Sequence, residues 1–401
     1  MPVMSFDVAR VRGLYPTVGA GMAHLDGAFS TLHPESVIRA IIATLRSSPS
    51  QPGSRSERSQ RSARSVAQAR RAVADLVGVS PESVVLGHSS SALILRFAGL
   101  LSRDWQLGDE IVLSRTDSDL NVRAWLRAAR SSGGVVRWAE VDLETGELPT
   151  WQYEELIGDR TRVVTVSLAN PAIGTVPDVR AIAELAHRHG AVVVVDAGAA
   201  IPHRALDLGE LGADILAISA ATFGGPTIAA LATAPGVLEG LDGDQRIPLP
   251  QRFEFGPLPV ELVDGLTAAV DHLADLDEWA SGSRRERIIA SVTAAGDYER
   301  SLYERLDAGL RALPGITVLG TPGDRLPMAA FTVAHHTPAQ VGELLHRRGV
   351  SVWTGPSGVS ELMAALGVDE LGGAVFVGLM PHTSTREVDQ LIDALTALSR
   401  T

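Results

Sequence analysis

Three consecutive serines, Ser89, Ser90 and Ser91, form the first group whose residue types and spacing suggest binding chemistry. They follow an apolar run at residues 84–86 that is typical of a buried strand, and they precede a helical pattern. The first amides of a helix have no partner within that helix, and its dipole attracts negative charge. The cluster therefore predicts a phosphate or anion site, with helix capping by the same hydroxyls as the alternative.

Two residue types are missing from the chain. There is no cysteine, and all 35 residues counted as Lys+Arg are arginine. No side chain can form an imine through an amine, act as a thiol nucleophile or bind a metal as a thiolate, and a phosphate-binding loop that requires lysine is excluded. Biased codon usage is the alternative explanation for the general depletion of lysine.

The histidines do not predict a metal site. His187 and His189 lie two apart near the end of a helical pattern, so they point to different faces. His335 and His336 have no companion ligand nearby in the sequence. His88, directly before the serine cluster, is the one imidazole that we expect to face a pocket.

Residues 47–65 are rich in serine and arginine and poor in apolar side chains. This composition predicts a mobile, solvated surface loop. The alternative is a lid that attracts anions to a pocket, because four arginines are closely spaced: Arg55, Arg58, Arg61 and Arg64.

Composition and charge are those of a soluble globular protein of the size of many enzymes. Hydrophobic residues make up 45% and charged residues 20%, and the formal net charge is -12. Without a concentrated basic region, nucleic acid is not expected as the main partner. No apolar run is long enough to cross a bilayer, and residues 1–16 lack the apolar stretch of a signal peptide, so we expect no membrane partner and a cytoplasmic location.

Strand-like and helix-like patterns alternate between residues 80 and 235, which predicts an α/β layer with a mostly parallel sheet. The pattern predicts long helices over residues 260–312 and a small α+β unit over residues 316–399. This unit ends in a helix over 385–398, with Ser384 as its N-cap. We expect an N-terminal arm (1–14) that packs on a small domain (256–401), and a large domain (15–255). The seven predicted strands lie at residues 84–86, 110–113, 135–141, 162–168, 191–195, 215–219 and 228–233.

Short motifs occur in a recognisable order along nearly the whole chain. They read LDGA at 25–28 with His33-Pro34, GT at 174–175, VD at 195–196 with IPH at 201–203, SAATFGGP at 219–226, VWTG at 352–355, ELM at 361–363 and GGA at 372–374. In these motifs the chain resembles the class V aminotransferase and cysteine desulfurase family. The resemblance implies the fold type I of enzymes that use pyridoxal phosphate (PLP). It also implies a homodimer, with the active site between both domains and the partner subunit.

The same resemblance indicates that the catalytic parts have changed. In the family a lysine carries PLP as a Schiff base, and here Thr222 stands at that position. A threonine hydroxyl cannot form an imine and is a poor base near neutral pH. The resemblance indicates further replacements. Pro171 stands in place of an asparagine, although a shift of one residue would let the adjacent Asn170 take that role. The remaining positions are Ser118 in place of the stacking histidine, Ala199 in place of the residue that contacts the phenolic oxygen, Pro257 in place of the threonine given to the partner's phosphate site, Phe376 in place of the carboxylate-binding arginine, and residues 356–358 in place of the loop with the desulfurase cysteine.

Some parts of the family's site remain. Asp196 stands where the partner of the pyridine nitrogen belongs, and Ser219 lies beside the lost lysine. With Ser90, Ser91 and Ser118 these are the candidate cofactor-binding residues. The alternative for Asp196 is that it only caps a turn at the end of its strand. For Thr222 we favour the interpretation that it is a packing residue in a site that no longer carries catalysis.

Three hypotheses follow, and none of them assigns a catalytic residue or a metal ligand. The leading one is a pseudoenzyme without covalent PLP chemistry that acts as a binding or regulatory partner. The second is an enzyme that binds PLP or pyridoxamine phosphate (PMP) non-covalently and acts on an amino or keto compound. The third is a different enzyme that uses the family's cofactor pocket for new chemistry, as a hydrolase or lyase for a phosphorylated or acidic metabolite. The expected partners are a second copy of the chain and a small anionic or phosphorylated ligand.

Overall fold

The computed structural model describes residues 6–19, 21–321, 323, 325–356 and 358–398. Its strands alternate with helices through the first two thirds of the chain. Within the described residues the strands are β1 (Ala23–His24), β2 (Val84–Gly87), β3 (Glu110–Ser114), β4 (Val135–Ala139), β5 (Thr161–Ser167), β6 (Val192–Asp196), β7 (Ile215–Ser219), β8 (Ala229–Thr233), β9 (Ile316–Val318), β10 (Met328–Val333), β11 (Val350–Ser351), β12 (Trp353–Gly355) and β13 (Ala374–Gly378).

The helices range from single turns to a helix of 28 residues. Over the same described ranges the α-helices are α1 (Val8–Arg12), α2 (Glu35–Arg46), α3 (Glu57–Val77), α4 (Ser90–Leu101), α5 (Asp119–Ser132), α6 (Tyr153–Leu156), α7 (Val179–Arg188), α8 (Leu208–Leu211), α9 (Val237–Gly240), α10 (Val260–Ala274), α11 (Arg284–Arg311), α12 (Pro338–Arg347), α13 (Ser360–Ala365) and α14 (Thr385–Leu398).

Seven strands form one large sheet in the order β2-β8-β7-β6-β5-β3-β4. The strands from β7 to β4 pair in parallel, whereas β8 is antiparallel to both β7 and β2. Successive residues of a strand enter different apolar clusters: Val84 and Leu86 belong to one, and Val85 belongs to the other. The sheet is therefore covered on both faces, and the predicted mostly parallel α/β architecture is confirmed.

A second sheet, in the order β12-β13-β10-β9, is antiparallel and lies in the C-terminal part of the chain. The short strands β1 and β11 pair in parallel, which attaches residues 23–24 to this part. Arg12 donates to the carboxylate of Glu387 and, at 2.7 Å, to the carbonyl oxygen of His382. The N-terminal segment therefore contacts the C-terminal part, while the division at 14/15 and 255/256 stays a prediction.

Helix α11 joins the two halves of the molecule. Ile288 and Val292, near its start, belong to the apolar cluster of the large sheet. Leu302 and Leu306, about four turns further on, belong to the cluster of the small sheet. One continuous helix thus contributes to both cores.

The predicted loop over residues 47–65 is wrong for residues 57–65. Helix α3 begins at Glu57, and the Ser56 hydroxyl caps it by accepting from the Ser59 N–H. Ser59, Ser62 and Ser65 recur at helical spacing and are buried, while the four arginines of this segment are exposed. Composition suggested a loop, but the three-residue spacing of small side chains gives the helix a face that packs.

In the part of the chain that the structure describes, no helix is long and apolar enough to span a membrane.

Candidate functional site

The candidate residues lie at one edge of the large sheet. The strands β3, β5, β6 and β7 run in parallel, and each ends in a polar residue: Ser114, Ser167, Asp196 and Ser219, respectively. Strand β2 runs in the same direction as β7 because both are antiparallel to β8, so Gly87 lies at the same edge. The carboxyl ends of parallel strands are where α/β sheets bind ligands.

Two of the candidate residues, Asp196 and Ser118, are in contact. The Ser118 hydroxyl donates to Asp196 Oδ2 at 3.1 Å, and the Gly198 N–H donates to Oδ1 at 3.0 Å. Burial nevertheless raises the pKa of Asp196, and these two hydrogen bonds oppose that rise. The carboxylate is therefore oriented but lacks a neutralising cation among these contacts.

A second carboxyl group, Asp117, precedes Ser118 in the chain and is close enough to Asp196 for their charges to interact. It is fully buried and accepts hydrogen bonds from the backbone N–H groups of Ser167 and Ser114. Burial raises its pKa to about 7, and the nearby charge of Asp196 adds to the rise. The buried Tyr153, whose own pKa is raised mainly by burial, also senses the charge of Asp117. Near neutral pH the site thus holds a carboxyl group that carries a proton part of the time.

The serine cluster opens helix α4, as predicted. The Ser89 hydroxyl caps the helix by accepting from the Ala92 N–H at 3.2 Å, and it lies 3.3 Å from the Ser91 hydroxyl. Ser90 and Ser91 form the first turn and are half-buried. Ser89 is the capping residue, so the N–H groups of Ser90 and Ser91 in the first turn remain available to bind an anion.

Thr222 lies in a 3₁₀ turn over Ala220–Phe223 that directly follows β7. Its hydroxyl donates to the Ser219 carbonyl oxygen at 2.9 Å. A Cβ atom built on Gly198 would lie 3.8 Å from the Thr222 methyl carbon, which places Thr222 beside the segment that follows Asp196. The hydroxyl stabilises its own turn, and the interpretation of Thr222 as a packing residue stays a prediction.

Residues 29–33 cross this turn. The Thr31 N–H donates to the Ala221 carbonyl oxygen at 3.2 Å, and His33 Nδ1 lies 3.0 Å from the Gly224 carbonyl oxygen. The ring of Phe29 packs edge-on against Trp353 and Phe376, with centroid distances of 5.6 and 6.0 Å. Phe376, which the resemblance aligns with the family's carboxylate-binding arginine, is thus part of an apolar aromatic cluster.

Asp119 forms hydrogen bonds with the loop that the resemblance aligns with the desulfurase cysteine loop. Its carboxylate accepts from the Gly358 N–H at 3.2 Å and from the Ser360 N–H and hydroxyl at 2.7 and 2.8 Å. Its own N–H donates to the Gly358 carbonyl oxygen at 2.9 Å. Ser357 lies outside the described residues, but the loop on its C-terminal side is fixed to the residue next to Ser118.

The side chain of Asn170 forms hydrogen bonds with neighbouring backbone groups. Its amide nitrogen donates to the Thr116 carbonyl oxygen at 2.7 Å, and its side-chain oxygen accepts from the N–H groups of Ala172 and Ile173. A shift by one residue would not free this side chain for a cofactor, because each of its polar atoms already has a structural partner.

These residues suit the phosphate and the ring nitrogen of PLP, but they lack partners for its aldehyde and its phenolic oxygen. The amides and hydroxyls of Ser90 and Ser91 suit a phosphate, and Asp196 suits the ring nitrogen. No amine is present at Thr222, and the side chain at Ala199 cannot donate to a phenolic oxygen. The retained contacts would hold the two ends of the molecule, but they provide no covalent attachment.

The fold and this strand-edge site define a PLP fold type I protein. The chain belongs to the Aminotransferase class-V family, whose model matches residues 23–391. It is 41% identical over 400 residues to an uncharacterized protein of Mycobacterium tuberculosis (strain CDC 1551 / Oshkosh), covering 98% of this chain and 100% of the relative. It is 27% identical to a cysteine desulfurase of Enterobacter sp. (strain 638), covering 98% of each chain.

Solved structures agree with this assignment. The cysteine desulfurase CsdA of Escherichia coli superposes with a TM-score of 0.85 at 25% identity, covering 98% of each chain. The cysteine desulfurase of Thermococcus onnurineus NA1 gives 0.87 at 22% identity, covering 100% of each chain. The chain spans only 54% of a probable cysteine desulfurase of Mycolicibacterium paratuberculosis, to which it is 28% identical.

Sequence reasoning missed Asp117 and Asp119 as members of the site. Both flank Ser118 in the run DSD directly after β3, and an acidic run at a strand end was the available signal. The aromatic cluster left no such signal, because its members come from three distant parts of the chain.

Proposed function

We propose that this member of the class V aminotransferase family is a pseudoenzyme that has lost covalent PLP chemistry and acts as a binding or regulatory protein. The observation that carries the proposal is Thr222 at the lysine position in a chain without any lysine. Its hydroxyl is engaged with the Ser219 carbonyl oxygen. Neither the Schiff base nor the proton transfer that lysine performs has a replacement at this position.

Two further replacements of family residues support the proposal. Phe376 replaces a guanidinium group with a buried ring, so an amino acid carboxylate loses its bidentate partner. Ser118 replaces the stacking imidazole and bonds Asp196 instead. One lost group can be compensated, but the joint loss of amine, imidazole, guanidinium and thiol removes each chemical step of the family's reactions.

A turnover assay tests the proposal. The purified full chain with added PLP is incubated with cysteine, and separately with an amino acid and a keto acid, and alanine, sulfide and amino-group transfer are measured. We expect rates equal to those of PLP without protein. Turnover above that background that disappears in Asp196→Asn would overturn the proposal.

A second candidate function is non-covalent use of PLP or PMP, favoured by the retained Asp196 and the open first turn of α4. If the two ends still bind, PMP raises the melting temperature of the protein, because a ligand that binds only the native state stabilises it. Unphosphorylated pyridoxamine serves as the matched control ligand. A shift with PMP that is absent with pyridoxamine and in Asp196→Asn supports this candidate, and no shift at any PMP concentration rejects it.

We further propose a homodimer, while the cytoplasmic location stays a prediction. Three large apolar side chains, Leu95, Leu120 and Phe255, are exposed by 40, 56 and 78%. The Arg96 guanidinium lies 5.2 Å from the centroid of the Phe255 ring. We expect sedimentation to give about twice the chain mass of 42.3 kDa, and Phe255→Asp to shift the protein toward the monomer. A wild-type monomer at all concentrations would contradict this.

A further inference from the structure

A cavity of about 290 Å³ lies between the large-sheet part and the C-terminal part of the chain. It is bordered by the turn after Asp196, by the middle of α11 and by residues 325–327. Its lining includes none of the candidate residues at the strand edge. The cavity is therefore distinct from the ancestral cofactor site.

A buried histidine–glutamate pair lines this cavity. His203 Nδ1 lies 2.9 Å from Glu299 Oε2, and the two side chains are 1 and 0% exposed. His203 Nε2 and Glu299 Oε1 have no hydrogen-bond partner within the described residues. Native proteins seldom leave buried polar atoms unpaired, so these two atoms call for a bound molecule.

The close approach of the chain segments fixes this arrangement. A Cβ atom built on Gly296 of α11 would lie 2.7 Å from the His203 carbonyl oxygen. Glycine at this position allows the segment with His203 to lie directly against the helix that carries Glu299. The backbone segments that carry His203 and Glu299 are thus in direct contact.

Guanidinium groups give the same cavity a positive side. Arg325 donates to the carbonyl oxygens of Ile173 and Thr145, and its Nε atom has no partner in the described part of the chain. Arg300 is mostly exposed, and its nearest ionic contact is Asp297 at 4.0 Å. Guanidinium groups with unused donors favour a carboxylate.

We propose that this cavity binds a small hydroxylated carboxylate. Its hydroxyl group lies between His203 and Glu299, and its carboxylate lies on the side of Arg300 and Arg325. A hydroxyl both donates and accepts, so it satisfies the two unpaired atoms whichever of them carries the proton. This ligand would bridge the large-sheet part and the C-terminal part through α11.

Calorimetry with malate and succinate on the full-length chain tests the proposal. The two dicarboxylates differ by one hydroxyl group, so succinate isolates its contribution. We expect malate to bind at least about tenfold more tightly than succinate, because the hydroxyl supplies hydrogen bonds to a charged group. Equal affinities, or binding of neither, would overturn the proposal.

Variants locate the binding. We expect Glu299→Gln to reduce the difference between malate and succinate, and Arg300→Gln to weaken both. Arg347→Gln, an exposed arginine on α12 paired with Glu343, is the matched control and leaves both unchanged. Loss of malate binding in Asp196→Asn would place the ligand at the strand edge and overturn the proposal.

A structure of the wild type with malate keeps the proposal testable if Glu299→Gln does not fold. Density for malate between His203 and Arg325 is the expected result. Ordered water alone in the cavity at saturating malate would show that the unpaired atoms are hydrated and would overturn the proposal.

Discussion

Among the described residues, the hydrogen-bond partners of Asp117 and Asp196 include no cationic side chain. Asp196 keeps two hydrogen bonds, from Ser118 and Gly198, whereas Asp117 lies deeper and depends on backbone N–H groups. In a pocket that binds a protonated pyridine ring, a nearby cation would stabilise the ionised acid. Here burial dominates, and the pKa of each carboxyl group is raised.

The raised pKa of Asp117 predicts a pH dependence of stability. Its pKa is about 7 in the folded protein and 3.8 ordinarily, so the folded state holds the proton more tightly. This contribution to the free energy of unfolding is complete below about pH 4 and is lost as the pH rises through about 7. The difference corresponds to about 4 kcal/mol.

Asp117→Asn removes this titration. Between pH 4 and pH 8 we expect the variant to gain stability relative to the wild type, up to about 4 kcal/mol, measured by urea denaturation at several pH values. Asp104→Asn, an exposed aspartate, is the control. Parallel pH profiles for the wild type and Asp117→Asn would contradict the assignment.

The resemblance of single residues predicted part of the site. It assigned Ser118 and Asp196 to separate roles in one site, and the structure joins them by a hydrogen bond; it also placed Ser219 beside the lysine position that Thr222 occupies. It could not show that the Asp117 side chain is buried and accepts from Ser167, or that the Asn170 side chain forms hydrogen bonds within the structure. Those facts depend on side-chain direction and on contacts between segments about 50 residues apart.

At the scale of elements, periodicity predicted more than composition did. Apolar runs placed each strand of the large sheet to within a few residues, because strands buried on both faces need continuous apolar sequence. The serine- and arginine-rich segment was misjudged, because its serines form a helix face that composition alone hides.

The serine face of α3 gives a direct test. Ser59 is fully buried, and its hydroxyl donates to the Gln51 carbonyl oxygen at 2.8 Å. We expect Ser59→Leu to lower the free energy of unfolding by about 1–3 kcal/mol through overpacking and the lost hydrogen bond. The neighbouring Gln60→Leu, on the exposed side, should change it by less than about 0.5 kcal/mol. Similar effects of the two changes would mean that this segment is a loop.

The attachment of residues 358–360 to Asp119 is a second property of elements. Asp119→Ala removes three hydrogen bonds to this loop, so we expect a loss of about 1–3 kcal/mol in stability. Amide hydrogen exchange at Gly358 and Ser360 should become faster, while exchange in β6 stays slow. Asp104→Ala is the matched control. Unchanged protection at Gly358 would show that other contacts hold the loop.

At the scale of the whole molecule, the chain keeps the fold of its family although it contains no lysine and no cysteine. Helix α11 enters both apolar cores, and the buried pair Arg70–Glu254, 2.7 Å apart, ties α3 to the segment before α10. These contacts depend on packing and on polar satisfaction, and none of them requires the amine that the chain lacks. The fold can therefore be maintained without the residues that the family's reaction needs.

Covalent attachment of PLP is the most direct test of this account. The full-length protein is incubated with PLP, reduced with borohydride and weighed by intact mass spectrometry, with Thr222→Lys treated in the same way. We predict no adduct on the wild type beyond reaction at the N-terminal amine, the one amine available, and one internal adduct on Thr222→Lys if Ser90, Ser91 and Asp196 still hold the two ends of the cofactor. A wild-type adduct that peptide mapping places on any internal residue would contradict the central claim.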